Sequence, residues 1–289
     1  MTILLTGATG FLGSHLLQKL IELNHKVVIL KRSTSNTWRI DSLLSKVKSY
    51  DIDKVSMEKP FEEQKIDAVM HTVTNYGRNN GTVSSIVETN LMFSLKLLET
   101  ATFFNTDTFF NTDTLLYKYL NHYSLSKKQF VEWLKYFSDK MKVVNLKLEH
   151  MYGPKDDDTK FVTWITNQML ENVESIDLTE GVQKRDFIYI DDVVDVYMLM
   201  LEKSKNFQAF SEFDVGTGKQ IELKEFILKI YKEISKIKPI NTKLNFGAKA
   251  YREGEFMEIE ENVQPLFDLG WKPKVSIEYG INKILKEEK

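Results

Sequence analysis

The 289-residue chain contains no cysteine. Disulfides, thiol nucleophiles and cysteine-based zinc sites are thereby excluded. Histidine is scarce, with five residues in all. His15, His25, His71, His122 and His150 show no paired ligand spacing, so no metal site is expected. Proline is equally scarce: five residues, all at or after position 60, none of them interrupting a helical pattern. An excess of one charge sign is also missing. The 39 Lys and Arg nearly balance 41 Asp and Glu, for a formal charge of −2. That balance argues against a nucleic-acid coat or a polybasic membrane surface. No apolar run reaches the roughly 18 residues that a membrane span requires. The apolar start, Ile3-Leu4-Leu5, breaks at Thr6-Gly7 with no basic region before it, unlike a signal peptide. The expectation is a globular, cytoplasmic chain with neither a membrane nor a nucleic acid as partner, and long enough for one large domain or two smaller ones.

What is present is an alternation of strand and helix patterns. Strands are expected at 2–6, 27–30, near 47–52, at 68–70, at 109–112 and at 143–148. Amphipathic helices are expected at 12–23, 83–102 and 123–140. Such alternation implies parallel strands joined by crossover helices. After Gly153-Pro154 the pattern loosens, with helices expected at 159–172, 190–203 and 222–236 and short strands between them. The fold class is therefore α/β: a Rossmann-like, doubly wound parallel sheet over residues 1–154. A smaller α+β portion follows over 155–289, with some of its segments returning to the first.

Residues 7–13 read Gly7-Ala8-Thr9-Gly10-Phe11-Leu12-Gly13, between the first strand and the first helix. The first glycine permits the tight turn, the second lets backbone approach a pyrophosphate, and the third lets helix and strand pack closely. The helix N-terminus then offers N–H groups and partial positive charge to phosphates. A carboxylate usually ends the second strand of an NAD-binding unit. Here Lys31-Arg32-Ser33 stands there, two cations and a hydroxyl suited to a 2′-phosphate. NADP(H) is accordingly the expected cofactor.

Tyr123 and Lys127 are spaced i, i+4, which puts both side chains on one helix face. An ammonium near a phenol is expected to lower its pKa and fit it for proton exchange with a carbonyl or hydroxyl. A hydroxyl at the end of the preceding strand should orient the reacting oxygen. The segment Phe-Phe-Asn-Thr-Asp-Thr occurs twice, at 103–108 and 109–114, so Thr106 and Thr112 both fit. A strand starting at Phe103 would leave too short a connector after the preceding helix, which favours Thr112.

The Gly-x-x-Gly-x-x-Gly spacing with Tyr-x-x-x-Lys resembles the extended, sugar-nucleotide-modifying branch of the short-chain dehydrogenase/reductase superfamily. Further stretches carry the resemblance: Val69-Met70-His71-Thr72 with Asn75-Tyr76-Gly77, Asn90 opening its helix, Leu148–Pro154, Arg185–Val193 and Leu269–Pro273. Asn-Thr-Asp-Thr, Leu-Glu-His-x-Tyr-Gly-Pro and Phe246-Gly247-Ala248 before Arg252 resemble, within it, the CDP-abequose and CDP-paratose synthases.

The resemblance implies an NADPH-dependent reductase of a nucleotide-activated 4-keto-deoxy sugar, serving surface polysaccharide synthesis. Thr112, Tyr123 and Lys127 would be its catalytic residues. Cofactor contacts would come from Gly7, Thr9, Gly10, Phe11, Leu12, Gly13, Lys31, Arg32, Ser33, Asp51, Ile52, Thr72, Val73, Thr74, Asn90, Tyr123, Lys127 and His150. Substrate contacts would come from Tyr76, Asp113, His150, Lys160, Phe161, Arg185 and Arg252. A homodimer is usual among such relatives. Two other functions use the same residues: an NAD-dependent nucleotide-sugar 4-epimerase, against which Lys31-Arg32 argues, and a non-catalytic dinucleotide-binding protein. In sugar-nucleotide 4,6-dehydratases a Glu stands where this chain has Thr114, which disfavours dehydration.

Overall fold

The computed structural model describes residues 1–78 and 81–287; positions 288 and 289, the end of the expected second portion, lie outside them. The first elements are β1 (Thr2–Thr6), α1 (Phe11–Glu22), β2 (Lys26–Lys31), β3 (Lys48–Asp51), α2 (Lys59–Glu63) and β4 (Ala68–His71). Next come α3 (Val83–Val87), α4 (Ser94–Phe103), β5 (Thr108–Thr114), α5 (His122–Phe137) and β6 (Lys142–Leu148). Then follow β7 (His150–Tyr152), α6 (Phe161–Leu170), β8 (Ser175–Leu178), β9 (Lys184–Arg185), β10 (Phe187–Tyr189) and α7 (Ile190–Lys203). The last are β11 (Phe210–Val215), β12 (Ile221–Glu222), α8 (Leu223–Ser235), β13 (Lys243–Phe246), α9 (Gln264–Asp268) and α10 (Ile277–Glu287).

Two compact units result, one of residues 1–148 with 194–213, the other of 149–193 with 214–289. In the first, seven strands form one sheet in the order β11-β6-β5-β4-β1-β2-β3. The pairs from β6 through β3 are parallel, with Leu4 opposite Val28 and Val69, and Val69 opposite Phe109. This is the doubly wound order, in which the strand order reverses between β1 and β4 and ligand crevices lie beyond the carboxyl ends of the strands.

The strands are apolar on both sides because helices cover both faces. Leu4, Val28, Val69, Phe109 and Val143 are fully buried and pack with Leu97, Leu98, Phe130 and Leu134. Each such side chain contributes about 1.5–3 kcal/mol by leaving water. Helix α1 buries Leu12, Leu16, Leu17 and Leu20 at helical spacing. It ends before Asn24, whose left-handed φ of 59° turns the chain into β2. Helix α5 starts at a capping box in which the Asn121 and Ser124 side chains each accept from the other's backbone N–H.

The helix expected at 83–102 is interrupted. Residues Glu88–Phe93 wind as a π-helix between α3 and α4. The expected strands 27–30 and 109–112 extend to Lys26–Lys31 and Thr108–Thr114. The second unit holds three two-stranded sheets, β10-β7, β12-β9 and β13-β8.

Candidate active site

The glycine turn is built as backbone chemistry requires. Gly7 has φ +73°, and a Cβ there would stand 2.5 Å from the Thr72 hydroxyl oxygen. A Cβ on Gly13 would stand 2.1 Å from the Gly7 carbonyl oxygen. The Gly10 N–H donates to that carbonyl at 2.9 Å, and Gly10 caps α1 with no side chain over its N-terminus. Phe11 and Leu12 turn into the core beneath, and the Thr9 carbonyl accepts from Arg39 at 3.4 Å. The bare helix N-terminus is suited to a pyrophosphate.

At the ends of β2 and β3 the sequence expectation meets an obstacle. The Ser33 hydroxyl donates to Asp51 at 2.6 Å, and the Ser33 N–H donates to Asp53 at 2.8 Å. Lys54 also approaches Asp51, at 3.3 Å. Hydrogen bonding by Ser33 holds the Asp51 carboxyl below its ordinary value. The carboxylates of Asp51 and Asp53 thus stand beside the residues expected to receive a 2′-phosphate, Asp51 opposite Lys31 on the neighbouring strand, and the Ser33 hydroxyl already serves Asp51. Carboxylates at this place repel a 2′-phosphate and suit a free ribose hydroxyl. Ile52 follows β3, its N–H bonded to the Lys31 carbonyl at 2.9 Å.

Beyond β4, Thr72 donates to the Thr6 carbonyl at 2.8 Å. Val73 and Thr74 continue this loop past the glycine turn, with the Val73 nitrogen 2.9 Å from where a Gly7 Cβ would be. His71 is fully buried between Thr6 at 2.8 Å and Ser94 at 2.7 Å, and burial pushes its pKa well down, so it is neutral. Asn90, within the π-helix, accepts from the Asn75 N–H at 2.7 Å. Its amide donates to the Asn75 carbonyl at 2.8 Å and to Ser126 at 3.0 Å. Asn90 therefore ties the loop after β4 to α5, an instance of a π-bulge at a functional site.

Helix α5 carries Tyr123 and Lys127 toward β5. Lys127 is 1% exposed, and its Nζ has no hydrogen-bond partner among the described residues. Burial pushes it down to about 8, with the Asp113 carboxylate opposing and Lys128 assisting. Asp113 is paired with Lys128 at 2.8 Å and accepts from Asn145 at 3.2 Å. The Lys128 ammonium also reaches the Thr114 carbonyl. Tyr76 lies against Tyr123, ring centres 4.9 Å apart.

Burial pushes the Tyr123 phenol well up, Tyr76 and Asp113 add to the rise, and a hydrogen bond from Thr114 opposes it. The expectation of a lowered phenol is thus corrected: removal from water raises it. Thr112 has its hydroxyl on Tyr197 of α7, at 2.6 Å. Thr106 lies in the connector before β5, not at its end.

The remaining expected residues belong to the second unit. His150, on β7, is bonded to Glu149 at 3.0 Å. Lys160 precedes α6, and Phe161 opens it, its ring centre 6.2 Å from that of Trp164. Arg185, on β9, is paired with Glu255 and donates to the Lys184 carbonyl at 2.6 Å. Arg252 is exposed in the segment after β13. This unit also contains a group the sequence reading missed. Glu149, Asp186 and Glu261 interact at close range, and burial with their mutual repulsion raises Asp186 and pushes Glu261 up to about 8. Asp186 accepts from the Thr217 hydroxyl and from the N–H groups of Thr217 and Gly218 at 2.6–2.8 Å. No sequence spacing connects these three positions.

A dinucleotide fits the first unit on two observations: the bare glycine cradle and the buried Lys127 ammonium lacking a partner. A sheet of this order carrying this site defines a dinucleotide-dependent oxidoreductase. The chain belongs to the NAD dependent epimerase/dehydratase family, whose model matches residues 3–216. It is an NAD(P)-dependent oxidoreductase acting on a hydroxyl or keto group of a nucleotide sugar.

More particularly, it is 38% identical to a CDP-abequose synthase of Salmonella muenchen, over 98% of this chain and 96% of that one. A second, of Salmonella typhimurium, is 31% identical over 98% and 97%. Among solved structures, UDP-glucuronic acid 4-epimerase from Bacillus cereus in complex with NAD superposes with a TM-score of 0.81. It is 25% identical, with 99% of this chain and 98% of that one covered. The UDP-glucose 4-epimerase of Thermotoga maritima with UDP-glucose, at 24% identity, shares the fold with a TM-score of 0.84 over 100% and 98%. The expectation of NADP(H), and with it of an NADPH-dependent 4-ketoreductase, is corrected by the NAD-bound relative. The physical reason lies at β3, where Asp51 and Asp53 take the Ser33 hydroxyl and N–H and place carboxylates next to Lys31 and Arg32.

Proposed function

We propose that the chain is an NAD-dependent epimerase acting at C4 of a nucleotide-linked sugar, with a CDP-sugar as the substrate class. The observation that carries the reading is Tyr123 beside a fully buried, unpartnered Lys127 in a unit whose ribose end carries carboxylates. The CDP moiety is taken from the relatives at 38% and 31% identity. The 4-epimerase chemistry is taken from the structurally similar NAD-bound enzyme.

When bound, NAD supplies a two-electron acceptor that returns what it takes, so no net reductant is needed. The Gly7–Gly13 turn holds the pyrophosphate, and Asp51 or Asp53 accepts from the adenosine ribose. Lys127 holds the nicotinamide ribose hydroxyls, which supply the partners its Nζ lacks. The Tyr123 phenolate, formed near the charged Lys127, takes the proton from the sugar O4 and gives it back. Its high proton affinity favours taking that proton, and the charged Lys127 nearby moderates that affinity so that the proton is returned. Asp113, paired with Lys128, keeps Lys127 more protonated than burial alone would allow. Asn90 fixes the Tyr76 loop that closes on the phenol.

The test is product analysis with NAD and CDP-glucose. The expected result is a C4-inverted sugar with no net change in NADH. Consumption of one NADPH per product, with no reaction on NAD, would overturn the proposal.

A further inference from the structure

We propose that His71 is the positioning residue behind Asn90: its imidazole, protonated on Nε2 alone, fixes Asn90 through the Ser94 hydroxyl and, through Asn90, the first turn of α5. This rests on the reading of Tyr123 as the proton-transfer group.

His71 ends β4, and with Thr6, Asn90 and Ser94 it is fully buried, so protein partners must satisfy each polar group. The rings of Phe93, Phe109 and Phe130 stand with their centres 5.9–6.1 Å from that of the imidazole and hold its plane. Nδ1 lies 2.8 Å from the Thr6 hydroxyl and Nε2 lies 2.7 Å from the Ser94 hydroxyl. The surroundings assign the protons. A hydroxyl has one proton to give, and a carbonyl can only accept. The Ser94 hydroxyl is 2.9 Å from the Asn90 carbonyl, four residues back in the chain, and 3.5 Å from that of Thr89. The Ser94 proton therefore points at Asn90, and Nε2 donates to Ser94. Burial keeps the ring neutral, which leaves Nδ1 bare to accept from Thr6.

Beyond Asn90 the bonds run on in the same direction. Its amide donates to the Ser126 hydroxyl at 3.0 Å, and Ser126 donates to the Tyr123 carbonyl at 2.8 Å. The same amide group holds the Asn75 carbonyl and N–H at 2.8 and 2.7 Å. Asn90 thus fixes the backbone that carries the phenol and the backbone next to Tyr76, whose ring lies against it. A serine hydroxyl bonded to the carbonyl four residues back bends a helix, so the Ser94 bond sets where the π-helix presents Asn90. The Nε2 proton leaves Ser94 no other use for its own. With the proton on Nδ1 instead, Nε2 would draw the Ser94 proton away, and the Asn90 carbonyl would lose this donor.

The experiment uses the full chain labelled with 15N. Long-range proton–nitrogen correlation of the His71 ring, assigned by His71→Gln, reads the tautomer at neutral pH. The expected result is a proton on Nε2 alone; a proton on Nδ1, or on both nitrogens, overturns the proposal. The Asn90 side-chain amide, assigned by Asn90→Ala, moves by more than its linewidth in Ser94→Ala and in His71→Asn, whose shorter amide does not reach Ser94. It returns in His71→Gln, whose amide nitrogen takes the place of Nε2. Ser94→Ala carries the test alone if the His71 variants do not fold. An Asn90 amide unmoved by loss of the Ser94 hydroxyl, or one that stays displaced in folded His71→Gln, overturns the proposal. With NAD and CDP-glucose, Ser94→Ala and His71→Asn lower kcat about tenfold, and His71→Gln recovers most of the loss. An inactive Tyr123→Phe beside a fully active Ser94→Ala sinks this inference alone. An active Tyr123→Phe sinks the proton-transfer reading, and the tautomer and the amide shifts still decide the hydrogen-bond chain.

Discussion

The two units bury charge in opposite ways. In the first, cations and carboxylates alternate: Lys127 lies near Asp113, and Asp113 is bonded to Lys128. In the second, Glu149, Asp186 and Glu261 repel one another, and the titratable neighbour bonded to Glu149 is His150. The first unit keeps a buried ammonium partly charged at neutral pH, as a ribose-binding and proton-transfer site needs. The second resolves its repulsion by keeping a proton on Glu261, which burial and its carboxylate neighbours push up to about 8. The same cost of removing charge from water is met by pairing in one place and by protonation in the other.

The largest expected effect comes from removing the group that the first unit is arranged around. Tyr123→Phe should lower kcat about 10²–10⁴-fold while leaving the folded chain intact, read by steady-state kinetics and thermal unfolding. Turnover at the wild-type rate would separate the charge pattern from catalysis.

Asp113→Asn breaks the alternation itself. It leaves Lys128 short of its carboxylate and should cost about 3 kcal/mol in denaturant unfolding. It also removes the carboxylate that raises Lys127. The basic limb of the rate profile should then move to lower pH, because Lys127 loses its proton sooner. A limb moving upward would contradict the pairing.

Asp51→Asn tests the carboxylates at the ribose end. The wild-type chain should bind NAD more tightly than NADP, and the variant should narrow the ratio by about tenfold, near 1.4 kcal/mol. Competition measured by tryptophan fluorescence gives the ratio directly.

The smallest effect concerns the second unit. A carboxyl whose folded pKa is raised keeps its proton after the unfolded chain has lost it. Its contribution to stability is therefore present at low pH and is lost as pH rises between about 4.5 and about 8. Glu261→Gln should flatten that decline in a series of unfolding curves, with little change in turnover.

Much of the first unit is legible in the sequence because its signals are local. The glycine turn, the apolar strands and the i, i+4 pair each lie within a dozen residues, and the structure places them as their spacing implies. The helix over 190–203 is likewise found at Ile190–Lys203. What escaped the sequence depends on contacts between distant positions. Ser33 meets Asp51 and Asp53 only because β2 and β3 are neighbours, and that meeting changes the cofactor reading. Tyr197 reaches Thr112 across 85 positions. The π-helix at Glu88–Phe93 interrupts an otherwise regular helical period to place Asn90. The sequence reading did not assign helix α10, although it buries Ile281, Ile284 and Leu285 at helical spacing.

The most direct measurement is an NMR titration of the Lys127 side-chain amine in the full chain, assigned by Lys127→Arg. The account expects a midpoint at about 8, moving lower in Asp113→Asn. A midpoint at the ordinary lysine value of 10.5, unmoved by that substitution, would contradict a buried ammonium held by Asp113 at the centre of the site.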